Sequence, residues 1–133
     1  MRWLIDGNNV MGAGADGWWN DPPAAAARLA AEVARWCNER EEEHPGDEVV
    51  LVFDGHPVGA VSEQAGGNLA VEFAPRPGRD AADDRIVELT EEFYVEPELT
   101  VVSSDKGLRS RLPPGVHTMP AGTFRRSCLR LQR

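Results

Sequence analysis

The chain has 133 residues and a formal net charge of −8; that length accommodates one domain, taken here as residues 1–133, and excludes two of typical size. No apolar run approaches the roughly 18 residues of a membrane helix, and the first residues lack the basic-then-apolar layout of a secretion signal, so a soluble, cytoplasmic protein with no membrane partner is expected. Cys37 and Cys128 stand apart from each other and from His44, His56 and His117, which excludes a zinc finger or disulfide framework and leaves reduced thiols.

The run MRWLIDGNNVMG opens with a strand, RWLID, that passes straight into Asp6, Gly7 and two asparagines. Such residues leave a strand cheaply, because they tolerate left-handed backbone and bond to their own main chain, so a turn and a glycine-rich loop, GAGADGWWNDPP, are expected. Asp21 before Pro22 and Pro23 marks a helix start: the carboxylate caps orphan amides, proline suits the first turn, and Leu29, Val33, Trp36 and Cys37 recur at helical spacing. Pro45 and Gly46 close that helix. EVVLVFD reads as a strand covered on both faces, and NLAVEFAP, after Gly66 and Gly67, as a shorter outer strand. A second helix starts near Asp80, with Ala82, Ile86, Leu89 and Phe93 on one stripe and Pro97 marking its end. ELTVVSS is another buried strand, DKGLRSRL a short helix or turn, GVHTMP a last strand, and AGTFRRSCLRLQR a terminal helix. Strands alternating with helices predict an α/β fold, a mainly parallel central sheet of about five strands between two helical layers.

Three apolar runs end in aspartate: Asp6, Asp54 in VFDGH and Asp105 in VSSDKG. In open α/β sheets ligands bind outside the carboxyl ends of the strands, which is where these acids fall. If the first strand is central, with the second and fourth beside it, the three converge. Gathered carboxylates raise one another's pKa and resist burial, so such a cluster is retained most readily around a cation, and oxygen-only ligands favour magnesium or manganese. DAADD adds Asp80, Asp83 and Asp84 on roughly one helical face. Asp80 reads first as a helix cap, while two further acids add repulsion that capping does not explain.

Net negative charge ordinarily argues against a nucleic-acid partner. Here the acids gather in EREEEHPGDE and VELTEEFYVEPE, whereas RRSCLRLQR is basic and Arg76, Arg79, Lys106, Arg109 and Arg111 flank the acidic motifs. The local field, not the total, steers a ligand.

DGNNVMGA, VFDGH, AADDRIVEL and VVSSDKGLR, in that order and spacing, resemble the YacP-like branch of the NYN domains, ribonucleases of the PIN-like fold, over nearly the whole chain. The resemblance implies a three-layer PIN-like (Rossmann-like) fold with the first strand between the second and fourth. It implies hydrolysis of RNA phosphodiesters with Mg2+ or Mn2+ held by Asp6, Asp83 and Asp105, with Asp54 and Asp84 as further members. Its implied partner is RNA, single-stranded or ribosome-associated. Asn9 matches the asparagine after the DG pair and would orient a carboxylate or touch a phosphate, or else serve the turn. Ser103 and Ser104 would bond a ligand carboxylate, or end a strand.

Arg76, Arg79, Lys106 and Arg109 are the substrate candidates, since guanidinium groups beside an acidic site clamp phosphates. Trp18 and Trp19 would stack on unpaired bases or close over the core, and an exposed loop role suits His56. Serine or cysteine nucleophiles lack a histidine base in motif terms. Two other classes remain open: an RNA- or ribonucleoprotein-binding module that does not cut, and a metal-dependent phosphatase or small-nucleotide hydrolase.

Overall fold

The computed structural model describes residues 1–14, 17–74, 81–93 and 98–129. Its strands are β1 (Arg2–Asp6), β2 (Glu48–Phe53), β3 (Leu69–Phe73), β4 (Leu99–Val102) and β5 (His117–Met119). They form one all-parallel, five-stranded sheet in the order β3-β2-β1-β4-β5, so β1 is central between β2 and β4. The helices are α1 (Gly7–Gly12), α2 (Pro22–Glu43), α3 (Gly59–Ser62), α4 (Ala81–Glu92), α5 (Lys106–Ser110) and α6 (Ala121–Phe124), the last running into a π-helical turn, Arg125–Leu129. No helix among the described residues is long and apolar enough to cross a membrane.

Alternation along β1 divides the molecule into layers, because successive side chains of a strand point to opposite faces. Trp3 and Ile5 enter one core with Val10 and Met11 of α1, Leu29, Val33 and Trp36 of α2, and Phe124 of α6. Leu4 enters the other with Ala82, Ile86 and Leu89 of α4 and Leu108 of α5. On the first face Trp3, Trp36 and Phe124 form an aromatic knot: Trp36 meets both Trp3 and Phe124 edge-on at 5.1 Å between centroids. Edge-to-face pairs of this kind add about 0.5–1.5 kcal/mol beyond area burial. The knot fastens α2 and α6 to the central strand.

Asp21 caps α2 as its sequence predicts, accepting the Ala24 N–H at 3.2 Å, with Pro22 opening the first turn. Two short helices, α1 and α3, add to the elements expected, and the first replaces an expected turn. GNNVMG is α1, although Gly and Asn are weak helix formers. It forms because Asp6 caps its first turn and because Val10 and Met11 are buried. Gly7 is needed for space: a Cβ there would lie 2.6 Å from the fully buried ring of Phe53. α3, after β2, likewise carries one buried anchor, Val61. Asp80 and Pro97, read as the bounds of the α4 helix, lie outside the described residues.

Gly7→Ala should therefore destabilise the fold by about 1–3 kcal/mol, the usual cost of overpacking a core. Gly12, at the other end of α1, has open space around a Cβ, and Gly12→Ala should be neutral or slightly stabilising in the same urea denaturation series.

Candidate active site

The sheet register delivers the site. Asp6 stands opposite Val52 of β2, and Ile5 opposite Val102 of β4, so the residue after β4, Ser103, falls beside Asp6. Ser103 Oγ donates to Asp6 Oδ2 at 2.9 Å and accepts the Asp105 N–H at 3.1 Å. The Asn9 N–H points at Asp6 Oδ1 from 3.4 Å. Asp6 is only 4% exposed. Burial pushes its carboxyl up to about 6; the Ser103 and Asn9 hydrogen bonds work against that rise, and the charges of Asp54 and Asp105 add to it. The three strand-end acids thus feel one another, as the sequence pattern implies.

Two adjacent asparagines tie the three strand ends together. Asn8 Oδ1 accepts the Asp54 N–H at 2.7 Å, bridging α1 to the end of β2. Asn9 Oδ1 accepts the Ser104 N–H at 2.8 Å, bridging it to the end of β4. Asn8 carries no separate weight in the sequence reading. Its role depends on which strand lies on which side of β1, and a DGNN string does not specify that.

The acids also serve as caps. Asp6 caps α1, Asp105 Oδ1 caps α5 by accepting the Leu108 N–H at 3.0 Å, and Asp54 Oδ1 accepts the Ala82 N–H of α4 at 2.6 Å. The sequence reading separates caps from site acids and gives the cap of the second helix to Asp80. The Asp80 cap lies outside the described residues; in the structure the strand-end acids are themselves caps, and Asp54 reaches across to that helix. This contact pins the first turn of α4, with half-buried Asp83 and Asp84, to the same edge of the sheet. Asp84 Oδ1 accepts from Arg111 Nη2 at 2.8 Å, an ion pair exposed by about 43% on each side.

Of the cationic candidates, Lys106 and Arg109 are exposed on α5, and Arg109 Nη2 donates to Thr118 Oγ1 of β5 at 3.1 Å. Arg76 and Arg79 lie outside the described residues. His56 is exposed. Trp18 packs against the first core while its edge-on neighbour Trp19 is 62% exposed, so closing the core falls to Trp18. Burial pushes the Cys37 thiol up to about 12 and raises that of Cys128, which removes both as nucleophiles at neutral pH.

A hard divalent cation fits this edge by donor chemistry: carboxylate oxygens, one of them on Asp6, whose carboxyl is raised chiefly by burial and further by its neighbours. Among the described residues, however, no three His, Cys, Asp or Glu side chains group closely enough to close around one ion. The fit is to an ion whose shell is completed by water and substrate oxygens, which is the usual mode of magnesium. A separate cleft of about 530 Å3, lined by Arg2, Glu41, Asp47, Glu48 and Asn68, opens at the amino ends of the strands. Its one buried carboxylate, Asp47, is already bound to Arg40 at 2.6 Å. The carboxyl edge, with the buried and raised Asp6 carboxyl, is the better candidate.

No family model matches the chain, and no curated protein matches it. Among solved structures, Rae1 (YacP) from Bacillus subtilis is similar at a TM-score of 0.70 with 22% identity, over 100% of this chain and 76% of that one. A mutant of the same protein gives the same TM-score and identity over 77% of its chain. The chain has a YacP-like fold. The all-parallel, five-stranded sheet with β1 between β2 and β4 is the architecture that the sequence motifs imply.

The raised Asp6 carboxyl has a signed consequence. The folded value, about 6, exceeds the ordinary 3.8, so the native state holds an extra proton between those limits. Stability falls as pH rises through that window, by roughly 3 kcal/mol in all. Asp6→Asn should abolish this slope, gaining stability relative to wild type from pH 4 to pH 7, as read by urea denaturation across pH.

Proposed function

We propose that this protein is a metal-dependent ribonuclease that hydrolyses RNA phosphodiester bonds at the carboxyl edge of its sheet. The carrying observation is Asp6, a buried carboxylate whose ionised form is disfavoured by burial, Asp54 and Asp105 together. An ionised acid under that pressure is stabilised by a bound cation. The reading also rests on the resemblance of the DGNN, VFDGH, AADDR and SSDKG motifs to the YacP-like ribonucleases.

Asp6 and Asp105 would hold Mg2+ or Mn2+, with Asp83 entering from the first turn of α4. When bound, the ion supplies an activated water and neutralises charge at the phosphoryl group. The chain supplies geometry and field. Ser103 fixes the Asp6 carboxylate, and Asn8 and Asn9 hold the ends of β2 and β4 against α1. Asn9 Oδ1 is committed to Ser104, so its contact with a phosphate would come from its Nδ2–H. Asp54 anchors α4 and adds negative charge beside Asp6. Lys106 and Arg109, with Arg76 and Arg79, would bind the phosphates of a single-stranded RNA flanking the cut. The protein would act in the cytoplasm.

Asp6→Asn, Asp83→Asn and Asp105→Asn should each lower cleavage of labelled single-stranded RNA by more than about 100-fold, beyond what a supporting residue costs. Asparagine caps a helix about as well as aspartate, so Asp105→Asn should keep its melting temperature. Asp84→Asn should cost less, because Arg111 already occupies one of its oxygens. Manganese at about 100 times its Kd should stabilise wild type by about 2.7 kcal/mol, and EDTA should abolish both effects. Tight RNA binding without cleavage under any metal would replace this reading by the binding module.

A further inference from the structure

We propose that Arg125, in the basic C-terminal segment, is a positioning residue that locks α1 and through it the acids at the sheet edge; the catalytic part of this inference rests on the nuclease reading above. Basic residues beside an acidic site are expected to face substrate. Arg125 instead turns inward: half-buried, it donates from Nη1 to the Val10 carbonyl at 3.2 Å. Val10 lies in the last turn of α1, where its carbonyl also accepts the Ala13 N–H at 3.2 Å, a bond shared with the Asn9 carbonyl. The guanidinium adds a charge-assisted second bond to that carbonyl and complements the helix dipole.

The approach requires room, and Gly14 provides it. A Cβ on Gly14 would lie 2.8 Å from Arg125 Nη2 and 2.9 Å from its Cζ. The other end of the clamp is equally fixed. The Ala121 N–H, opening α6, donates to Ser104 Oγ at 2.9 Å, and Phe124 is fully buried in the aromatic knot immediately before Arg125. Ser104 in turn donates its N–H to Asn9 Oδ1. The contacts close a ring: Asn9 to Ser104, Ser104 to α6, α6 through Arg125 to Val10, which adjoins Asn9. Opening the ring at Arg125 loosens the short helix that carries both asparagines and whose cap is Asp6.

The test compares Arg125→Met, Arg125→Lys, Gly14→Ala and Gly12→Ala by amide hydrogen exchange and by cleavage kinetics on single-stranded RNA with manganese. Gly14→Ala displaces only the flexible end of a side chain, so it reports even where Arg125→Met fails to fold. Gly12 has open space around it and serves as the silent control. Arg125→Met and Gly14→Ala should speed exchange at the Met11, Ala13, Ser104 and Asp54 amides by about tenfold or more, the loss expected of one charge-assisted hydrogen bond. Lysine should restore part of the protection, and kcat should fall with KM unchanged. Unchanged exchange at those amides overturns the proposal, and so does a raised KM at constant kcat, which would make Arg125 a substrate contact. If the exchange pattern appears and wild type cuts no RNA, the clamp stands and the nuclease reading fails.

Discussion

Asp6 ends the central strand of a parallel sheet with its carboxylate almost wholly out of water, satisfied by one serine hydroxyl and one backbone amide, and pressed by two neighbouring acids. Burying a charge is costly unless it is hydrogen-bonded and compensated. The surroundings are arranged around that cost. Ser103 arrives because β4 pairs in register with β1, and α1 must begin where it does for the Asn9 amide to face the carboxylate. Gly7 must lack a Cβ for α1 to lie against Phe53. The same acid that destabilises the fold above its pKa is the one best placed to gain from a cation.

Each strand-end acid here works twice. Asp6 and Asp105 cap the helices that follow them, and Asp54 caps a helix that follows a different strand. Capping helps to fix the carboxylate rotamers at the sheet edge, with the Ser103 hydroxyl as a second hold on Asp6. It also leaves each acid an oxygen-rich, directed group beside its neighbours, which is how a site of few residues stays organised before any ligand arrives. The asparagine pair and the inward-turned arginine extend this economy, since all three bond to backbone groups of neighbouring elements and not to one another.

The strands were legible because β-branched runs such as EVVLVF have one plausible packing, buried on both faces of a parallel sheet. The start of α2 was legible because Asp21, Pro22 and Pro23 form a local signal that needs no tertiary partner. α1 was not: its glycines and asparagines favour a turn by propensity, and the cap and the ring of Phe53 that override it come from the fold. The gathering of Asp6, Asp54 and Asp105 followed from strand ends plus sheet order. The partnering did not. That Asp54 would cap α4, that Arg111 would hold Asp84, and that Asn8 and Asn9 would reach opposite neighbours of β1 are consequences of tertiary placement, which a linear motif does not encode.

In the proposed reading a divalent cation relieves the anion cluster at the carboxyl edge. The most direct test of that reading is the titration of the Asp6 carboxyl carbon by 13C NMR, without and with saturating Mg2+. The account predicts a midpoint near 6 in the metal-free protein and a fall toward or below the ordinary 3.8 when Mg2+ is present. A midpoint near 3.8 without metal, or one near 6 that Mg2+ leaves unmoved, would contradict it.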